Sequence, residues 1–513
     1  MNEIKNEIMR RDNITMTENG ALAYKSTGKD LVDIQFKLSS LRKCVDVETY
    51  NKFENALNED VDTAVRFLFC IRDIRGGYGE RDVFHKLFEH FYMVKTKEAI
   101  ACLSLVSEYG RWKDVVDIAF NTTFTELKSE CFKLIETQLK EDVINCTNGK
   151  SISLLAKWMP SVNASQSARV RAIEFITFLK MNMGSYRKML SKLRKYLDVT
   201  EVKTCGNKWN EIDYNKVSSN ANLRYSDSFL KHDEIRRREY LAELSKPNST
   251  VKMNAQVLNP HEIWHKYTGG SYYGRIPVND GYEAMWNNLK DMGDCGSTMV
   301  VVDGSGSMTC HIPNSSTMAI DVSRSLGVYF AERCKGEFHN KMIEFSSRPK
   351  FIDIDGKETL AEKISYMHQF NDCSNTDIEA VFNLILSTAI RNKMSQDDMP
   401  DRILIVSDME FDCATGGYYR DIHYETLFET INNKFENAGY KMPRLVFWNV
   451  NSRTNAIPVT ENEAGVALIS GFSVNLMKMV MSNQTEPWLI LKEMLDSERY
   501  NLVSEVLKNV NNE

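Results

Sequence analysis

The stretch that decides the fold is Met299-Val300-Val301-Val302-Asp303-Gly304-Ser305-Gly306-Ser307-Met308. It opens with an apolar, β-branched run, which is typical of a buried strand. One carboxylate and two hydroxyls then alternate with glycines, which let the backbone turn sharply without a Cβ clash. Asp303, Ser305 and Ser307 can therefore converge at the carboxyl end of this strand, where open α/β sheets place their ligand sites. Oxygen donors of this kind suit Mg²⁺.

The Asp-x-Ser-x-Ser pattern resembles the first metal-binding segment of von Willebrand factor A domains, whose site is called the metal-ion-dependent adhesion site. In that family a Thr on a later loop and an Asp at the end of a middle strand complete the site. Thr376 stands before a predicted helix over 377–390, and Asp408 ends the predicted strand 402–407, in the same order as in the family. The resemblance implies a site for Mg²⁺, or another divalent cation such as Mn²⁺ or Ca²⁺, formed by Asp303, Ser305, Ser307, Thr376 and Asp408.

The resemblance also implies a role for each of these residues. Ser305 and Ser307 would bind the cation directly, Thr376 would be a direct or near-direct ligand, and the two aspartates would act mainly through waters. One coordination position would accept a carboxylate from a partner protein. The alternative is that Asp303 and the serines merely cap the helix that follows, since Asp and Ser are favoured at helix N-termini.

Length and composition set the class of protein. A chain of 513 residues is too long for one ordinary core, so two or three domains are expected. No apolar run reaches membrane-spanning length, and the polar first residues lack the apolar region of a signal peptide. The 11 cysteines are scattered without a C-x-x-C pair, which favours free thiols in a reducing compartment. These features predict a cytoplasmic protein with no membrane partner.

Apolar periodicity predicts an α + α/β fold. From about residue 31 to 290, apolar residues recur at a spacing of three to four, as in short helices that pack in successive pairs. The order of these elements predicts an α-helical, HEAT-like solenoid. After residue 293, strands and helices alternate, as in a doubly wound, Rossmann-type sheet of the von Willebrand A-like kind. The predicted domains are a flexible N-terminus at 1–30, the solenoid at 31–292, the α/β domain at 293–485 and C-terminal helices at 486–513.

Two helix connections carry specific motifs. Residues 72–82 read Arg-Asp-Ile-Arg-Gly-Gly-Tyr-Gly-Glu-Arg-Asp, and residues 108–114 read Glu-Tyr-Gly-Arg-Trp-Lys-Asp. Both resemble motifs of the TROVE domain of Ro-type RNA-binding proteins, and of a related uncharacterised family of plants, fungi and large viruses. The glycine-rich loop could cradle a phosphate, but it lacks the strand–loop–helix order of a P-loop. The favoured interpretation is that its arginines tie neighbouring helices together.

Charge is distributed unevenly along the chain. Residues 151–290 hold 22 basic and 13 acidic groups, although the whole chain has a formal net charge of −6. A basic middle region indicates an anionic partner, with nucleic acid the first candidate. The alternative is that surface charge differs between domains for solubility alone.

The densest basic stretch lies where Ro-type proteins have a helix that contributes to RNA contact. Its cations recur at a spacing of three to four residues, which places them on one helix face. Tyr186 could stack on a base. The alternative is a solvated helix face, as in most charge runs. The residues predicted to bind RNA are Arg169, Arg171, Tyr186, Arg187, Lys188, Lys192, Arg194 and Lys195.

Enzyme signatures give one remote alternative. The chain has no G-x-S-x-G elbow, P-loop or kinase signature. His261-Glu262-Ile263-Trp264-His265 matches the H-E-x-x-H pattern of zinc hydrolases. Pro260 directly precedes this string and no third ligand is apparent, which favours a structural role.

The sequence and its resemblances predict a non-enzymatic, Ro-like RNA-binding protein, a component of a ribonucleoprotein. Its partners would be structured or single-stranded RNA of the small non-coding type, and a protein that supplies a carboxylate to the metal site. The second interpretation is a metal-dependent protein-interaction scaffold with no RNA role.

Overall fold

A computed structural model of the chain describes residues 12–16, 22–246, 248–269, 276–370, 372, 377–409, 427–451, 457, 466–482, 484 and 486–511. The chain forms two compact units. Unit 1 comprises Met1–Phe53 and Glu243–Asp496, and unit 2 comprises Glu54–Ala242 and Ser497–Glu513. Among the described helices, none combines the length and the apolar composition that crossing a bilayer requires.

The described helices are numbered along the chain. Those of the first half are α1 (Asp30–Leu41), α2 (Val47–Glu59), α3 (Val61–Arg72), α4 (Asp82–Val94), α5 (Thr96–Ala101), α6 (Leu105–Tyr109), α7 (Trp112–Asn121), α8 (Thr125–Thr147), α9 (Leu155–Trp158), α10 (Gln166–Phe178), α11 (Met183–Leu197), α12 (Thr200–Cys205), α13 (Ser219–His232) and α14 (Glu234–Leu244). Those of the second half are α15 (Pro260–Thr268), α16 (Asp280–Asn287), α17 (Ala319–Ala331), α18 (Leu360–Met367), α19 (Ile378–Asn392), α20 (Leu427–Asn437), α21 (Met477–Val480), α22 (Pro487–Leu495) and α23 (Asn501–Asn511).

Unit 1 is built on a six-stranded sheet formed by β3 (Thr298–Asp303), β4 (Lys341–Phe345), β5 (Lys350–Asp353), β6 (Arg402–Ser407), β7 (Arg444–Asn449) and β8 (Val466–Ser470). The order of the strands across the sheet is β5-β4-β3-β6-β7-β8. Neighbouring strands are parallel except for β4 and β5, which are antiparallel. Nearly every residue of the central strands is buried, as expected of a parallel sheet covered on both faces.

Helix α17 lies directly against β3, the strand that leads into the Asp-x-Ser-x-Ser segment. The approach is so close that a Cβ added at Gly327 would lie 2.2 Å from Val302 Cγ1. Glycine at this helix position therefore allows the close packing of helix on strand. This packing fixes the strand end that carries Asp303.

The N-terminal segment of the chain belongs to the sheet-containing unit. Gln35 Nε2 in α1 donates a hydrogen bond to Leu468 O in β8 at 3.0 Å. In addition, β1 (Ile14–Met16) and β2 (Leu22–Tyr24) form an antiparallel hairpin in the region predicted to be flexible. Segment 31–53, predicted as the start of the solenoid, thus lies with the sheet in unit 1.

Unit 2 is helical throughout its described residues, as the periodicity predicts. Its core includes an aromatic cluster in which the Phe69 ring lies 5.8 Å from Phe84 and 5.2 Å from Tyr109. Helix α23 packs against α3 and α5, so the C-terminal end of the chain completes this unit. The helical unit and the parallel-dominated sheet of unit 1 confirm the α + α/β fold class.

The glycine-rich connection between α3 and α4 points its backbone amides inward. The N–H groups of Tyr78 and Glu80 donate to Cys70 O at 3.1 Å and Ile71 O at 2.8 Å. A Cβ at Gly77 would lie 2.1 Å from Cys70 O, so a side chain at this position would disrupt the turn. These amides are used within the fold, which argues against a phosphate cradle here.

The charged residues of this motif tie helices together, as the favoured interpretation states. Arg72 at the end of α3 donates to Asp114 of α7, with Nη2 to Oδ2 at 2.7 Å, and both side chains are buried. Asp73 is also buried and accepts hydrogen bonds from Arg499 and Tyr500, next to α23. The two motifs that resemble the TROVE domain are therefore joined through the buried Arg72–Asp114 ion pair.

The stability of unit 2 is expected to fall at acid pH because of Asp114. Burial raises the pKa of this carboxyl, but hydrogen bonds from His85 and Arg72 and their charges outweigh burial and lower the pKa to about 2. A lowered pKa contributes stability that is present above the unfolded value of 3.8 and is lost as the pH falls through about 2. The loss amounts to about 2 kcal/mol.

Urea unfolding of the parent and of Asp114→Asn between pH 5 and pH 2 measures this effect. The stability difference between the two proteins is expected to shrink by that amount as the pH falls. A constant difference across this range would contradict the assignment.

Candidate metal site and basic helix face

The candidate metal site lies at the carboxyl edge of the sheet. β3 and β6 are adjacent and parallel, and Val302 pairs with Val406. Asp303 ends β3 and Asp408 follows directly after β6. The fold therefore brings two acids that are far apart in sequence to the same edge, as the alternating pattern predicts.

Asp303 is completely buried and held by hydroxyl and amide donors. Its Oδ2 accepts from Ser407 Oγ at 2.6 Å, and its Oδ1 accepts from Ser305 N at 2.9 Å. Burial raises the pKa of the Asp303 carboxyl, although these hydrogen bonds oppose the rise. Within the described ranges, no basic side chain forms an ion pair with this carboxylate. A buried carboxylate without a cation is costly, so the site favours a positive ligand.

The two serines of the segment point their hydroxyls at each other. Ser305 Oγ and Ser307 Oγ are 2.9 Å apart; Ser305 is buried and Ser307 half-buried. Ser305 precedes the short 3₁₀ helix Gly306–Thr309, yet its side chain makes no capping hydrogen bond. The Ser305 side chain therefore does not cap this short helix.

The backbone after β6 adopts an unusual conformation. Asp408 is 1% exposed, and the next residue, Met409, has φ of +66°, in the left-handed region that non-glycine residues rarely adopt. Ser407 Oγ accepts from Met409 N at 3.1 Å, so the same hydroxyl holds this turn and Asp303. Local backbone strain of this kind is concentrated at functional sites. Thr376, the remaining predicted ligand, lies outside the described residues.

Two further serines position the site and were missed from the sequence. Ser323 Oγ in α17 accepts from Asp303 N at 3.1 Å and donates to Val406 O at 2.9 Å, so it bridges β3 and β6. Ser407 is the second. A hydroxyl directly before Asp408 at the end of an apolar strand was the available signal for Ser407, whereas nothing local marks Ser323.

The predicted RNA-binding residues of α11 divide between two faces of the helix. Tyr186, Leu190 and Leu193 are buried. The opposite face is exposed and carries four cations. These are Arg187, Lys188, Lys192 and Lys195. Lys192 Nζ donates to Thr147 Oγ1, at the end of α8, at 3.2 Å. Among the described residues, the other three cations form no ion pair.

Tyr186 is not available for stacking on a base. Its ring is fully buried, and its hydroxyl donates to Pro160 O at 2.9 Å. Burial raises the pKa of this phenol. Tyr186 therefore anchors α11 to the preceding loop, and the expected stacking role does not fit the structure.

The remaining predicted arginines differ in their surroundings. Arg194 is half-buried and donates to Ala156 O at 2.8 Å and Met159 O at 2.6 Å, which fixes the end of α9. Arg171 is exposed, donates to Asn121 Oδ1 at 2.9 Å and lies 5.8 Å from the Phe120 ring. Arg169 is exposed.

The H-E-x-x-H string lies on α15, but its residues have structural partners. Glu262 Oε2 accepts from Asn259 N at 2.7 Å in a capping box, and His265 Nδ1 lies 3.3 Å from Asp321 Oδ2. His261 is buried against Phe472, and burial lowers the pKa of its ring to about 3. The described part of the chain contains no cluster of three or more His, Cys, Asp or Glu side chains arranged to hold a metal. This geometry does not resemble a zinc-hydrolase centre.

Comparison with known proteins finds similarity to uncharacterised domains in both halves of the chain. The chain matches two domains of unknown function. One model, Domain of unknown function (DUF7788), covers residues 297–505 and includes the candidate metal site. The other, Domain of unknown function (DUF2828), covers residues 17–141 and 175–293 and includes α11. An uncharacterized protein of Acanthamoeba polyphaga mimivirus is 29% identical over 522 residues, which is 94% of this chain and 87% of the viral protein. The chain is thus similar to a protein of a large virus, in line with the uncharacterised family in the resemblance.

Proposed function

We propose that the protein is a non-enzymatic, Ro-like RNA-binding protein that also contains a divalent-cation site. The helical part would be a HEAT-like, TROVE-like region, and the sheet-containing part a von Willebrand A-like domain. The cation would present an open position to a carboxylate of a protein partner. The observation that carries the metal half is Asp303, a fully buried carboxylate with no basic partner among the described residues.

The donor set around Asp303 fits a hard divalent cation. Ser305 and Ser307 supply neutral hydroxyls 2.9 Å from each other, and Asp303 and Asp408 supply the negative charge. Mg²⁺ accepts few protein ligands and keeps several waters, so two serines and two aspartates suffice. Ser407 and Ser323 would act as positioning residues that hold Asp303.

The exposed face of α11 supports the RNA half of the proposal. Between residues 175 and 197 the chain has six basic residues and no acidic residue. Arg187, Lys188 and Lys195 carry no described ion pair, so their charges are available to a polyanion. Phosphate contacts of this kind supply most of the sequence-independent affinity for nucleic acid.

Replacing Arg187, Lys188, Lys192 and Lys195 together with Ala is expected to weaken RNA binding and flatten its salt dependence. Each lost phosphate contact reduces the slope of log K against log salt by about 0.7 for single strands, so the total change is about 3. Fluorescence anisotropy of a labelled single-stranded RNA between 50 and 300 mM salt measures both quantities.

A second quadruple variant controls for net charge. Lys133, Lys140, Lys208 and Lys216 are also exposed in unit 2, but each is paired with an acid on its own helix or turn. Changing these four to Ala is expected to leave the slope within about 1 of the parent. Equal losses in both variants would show that α11 is not the RNA site. If the parent binds no RNA at 50 mM salt, the protein-interaction scaffold becomes the better function.

A further inference from the structure

A small pocket opens beside the basic face of α11. It has a volume of about 160 Å³ and lies between the loop at 161–163 and the helix. Val162 and Leu190 form its apolar wall, and both are buried. Its volume is well below the roughly 300–1,000 Å³ of pockets for drug-sized molecules. The pocket therefore suits a single small group rather than a whole cofactor.

The pocket is positively charged and contains no carboxylate. Arg187 and Arg194 are the charged residues that line it. Arg194 is fixed by neutral groups, namely Ala156 O, Met159 O and Ser161 Oγ at 2.6 Å for the last. Among the described residues, neither guanidinium meets an acidic side chain. Arg194 is half-buried and Arg187 is exposed, and their positive charge without an acidic partner favours an anion.

Neutral hydrogen-bonding groups complete the lining. The side chains of Asn163 and Ser191 are exposed at the pocket, and the described part of the structure gives them no hydrogen bond. Ser161 accepts from Arg194, so its own hydroxyl proton remains able to donate. An amide and two hydroxyls beside two guanidiniums form a set of donors that matches the several acceptor oxygens of a phosphate.

We propose that this pocket binds a phosphate group of a nucleotide, with Arg187 and Arg194 supplying charge and Asn163 and Ser191 supplying hydrogen bonds. The proposal rests on the RNA-binding function proposed above and gives it a specific contact. The phosphate is either an internal phosphodiester or a terminal phosphate of an RNA strand. Val162 and Leu190 would face the attached sugar.

Arg187→Met and Lys188→Met in the full chain provide the test. Each removes one positive charge from neighbouring exposed positions of α11, but only Arg187 lines the pocket. Anisotropy with a labelled 12-nucleotide oligouridine is expected to show a loss of about 10-fold or more for Arg187→Met and only two- to threefold, roughly, for Lys188→Met.

Ser191→Leu tests the pocket without changing charge. Leucine is a good helix former and Ser191 is exposed, so α11 is retained while the pocket is filled. Binding is expected to fall about 10-fold in Ser191→Leu. Ser185→Leu, on the same helix but outside the pocket lining, is the matched control and is expected to bind like the parent.

The RNA probes and a mononucleotide distinguish the outcomes. If oligouridine with a 5′-phosphate binds tighter than oligouridine with a 5′-hydroxyl, the pocket binds a terminal phosphate. Equal binding of the two probes identifies an internal phosphodiester.

Equal losses of affinity in Arg187→Met and Lys188→Met, with Ser191→Leu unaffected, overturn the pocket but leave RNA binding intact. If the parent binds no RNA but binds adenosine monophosphate in calorimetry, and Ser191→Leu does not, the pocket stands and the RNA function fails. If the parent binds neither, both fail.

Discussion

Asp114→Ala is expected to lower the free energy of unfolding of unit 2 by about 3–5 kcal/mol. The Asp114 carboxylate accepts two hydrogen bonds from Arg72, with Nε at 3.0 Å and Nη2 at 2.7 Å, and one from Arg111 N at 2.8 Å. It also lies 3.2 Å from His85 Nε2. The side chains of Arg72 and Asp114 are only 3% and 1% exposed. Removing the carboxylate leaves a buried guanidinium without a counter-charge, which costs far more than an exposed pair.

Urea unfolding followed by circular dichroism measures this loss, and Asp117→Ala is the control. Asp117 lies on the same helix, α7, and pairs with Lys113 at 2.7 Å, where the lysine side chain is 35% exposed. The Asp117 side chain is 15% exposed, so this pair keeps access to solvent and is expected to contribute about 1 kcal/mol. If both variants unfold at the same urea concentration, the buried pair between the two glycine-containing motifs does not stabilise the unit.

The strands of the α/β region could be predicted closely because each is a short apolar run bounded by polar residues. The predicted strand 402–407 coincides with β6, and the predicted strand 444–450 differs from β7 by one residue. Helix α19 was expected at 377–390 and spans Ile378–Asn392. In each case the local apolar pattern matches the residues that are buried in the structure, so the sequence alone is enough to predict the element.

The packing partner of α1 could not be predicted in this way. The apolar periodicity of α1 predicts a helix, but it does not indicate which surface of the protein the helix packs against. In the structure, α1 meets two strands that lie more than 400 residues away along the chain. Gln35 Nε2 donates to Leu468 O of β8, and Asn449 Nδ2 of β7 donates to Phe36 O at 2.8 Å. Contacts at such separation follow from tertiary packing and leave no mark on local sequence.

For the candidate sites too, residues that are close in sequence could be predicted, whereas contacts between distant segments could not. Asp303, Ser305 and Ser307 were found because they are close in sequence, whereas the hydrogen bond from Ser407 depends on β3 lying beside β6. For Tyr186 the signal was available. It shares its helix face with Leu190 and Leu193, at spacings of four and seven, and that face is the buried one.

The double variant Ser305→Ala/Asp408→Ala is expected to eliminate Mg²⁺ binding. It removes one hydroxyl proposed to bind the cation directly and one of the two acids that would balance the cation. It keeps Asp303 with its hydrogen bond from Ser407. Calorimetric titration with Mg²⁺ measures the loss. In the parent, saturating Mg²⁺ at about 100 times its Kd is expected to stabilise unit 1 by about 2.7 kcal/mol, and chelation removes this increment.

A control variant that loses one hydroxyl and one carboxylate outside the candidate site separates the loss of metal binding from a general effect of the two substitutions. Ser387 and Asp397 are exposed in unit 1 and lie on α19 and the following turn, so Ser387→Ala/Asp397→Ala is expected to bind Mg²⁺ like the parent. Ser307→Ala alone, at a half-buried position, provides a milder test if the double variant unfolds, and is expected to weaken Mg²⁺ binding at least tenfold, about 1.4 kcal/mol. Circular dichroism establishes that each variant is folded. Mg²⁺ affinity unchanged in both site variants would exclude a cation here and leave Asp303 as a buried carboxylate held by hydrogen bonds from Ser407 and Ser305.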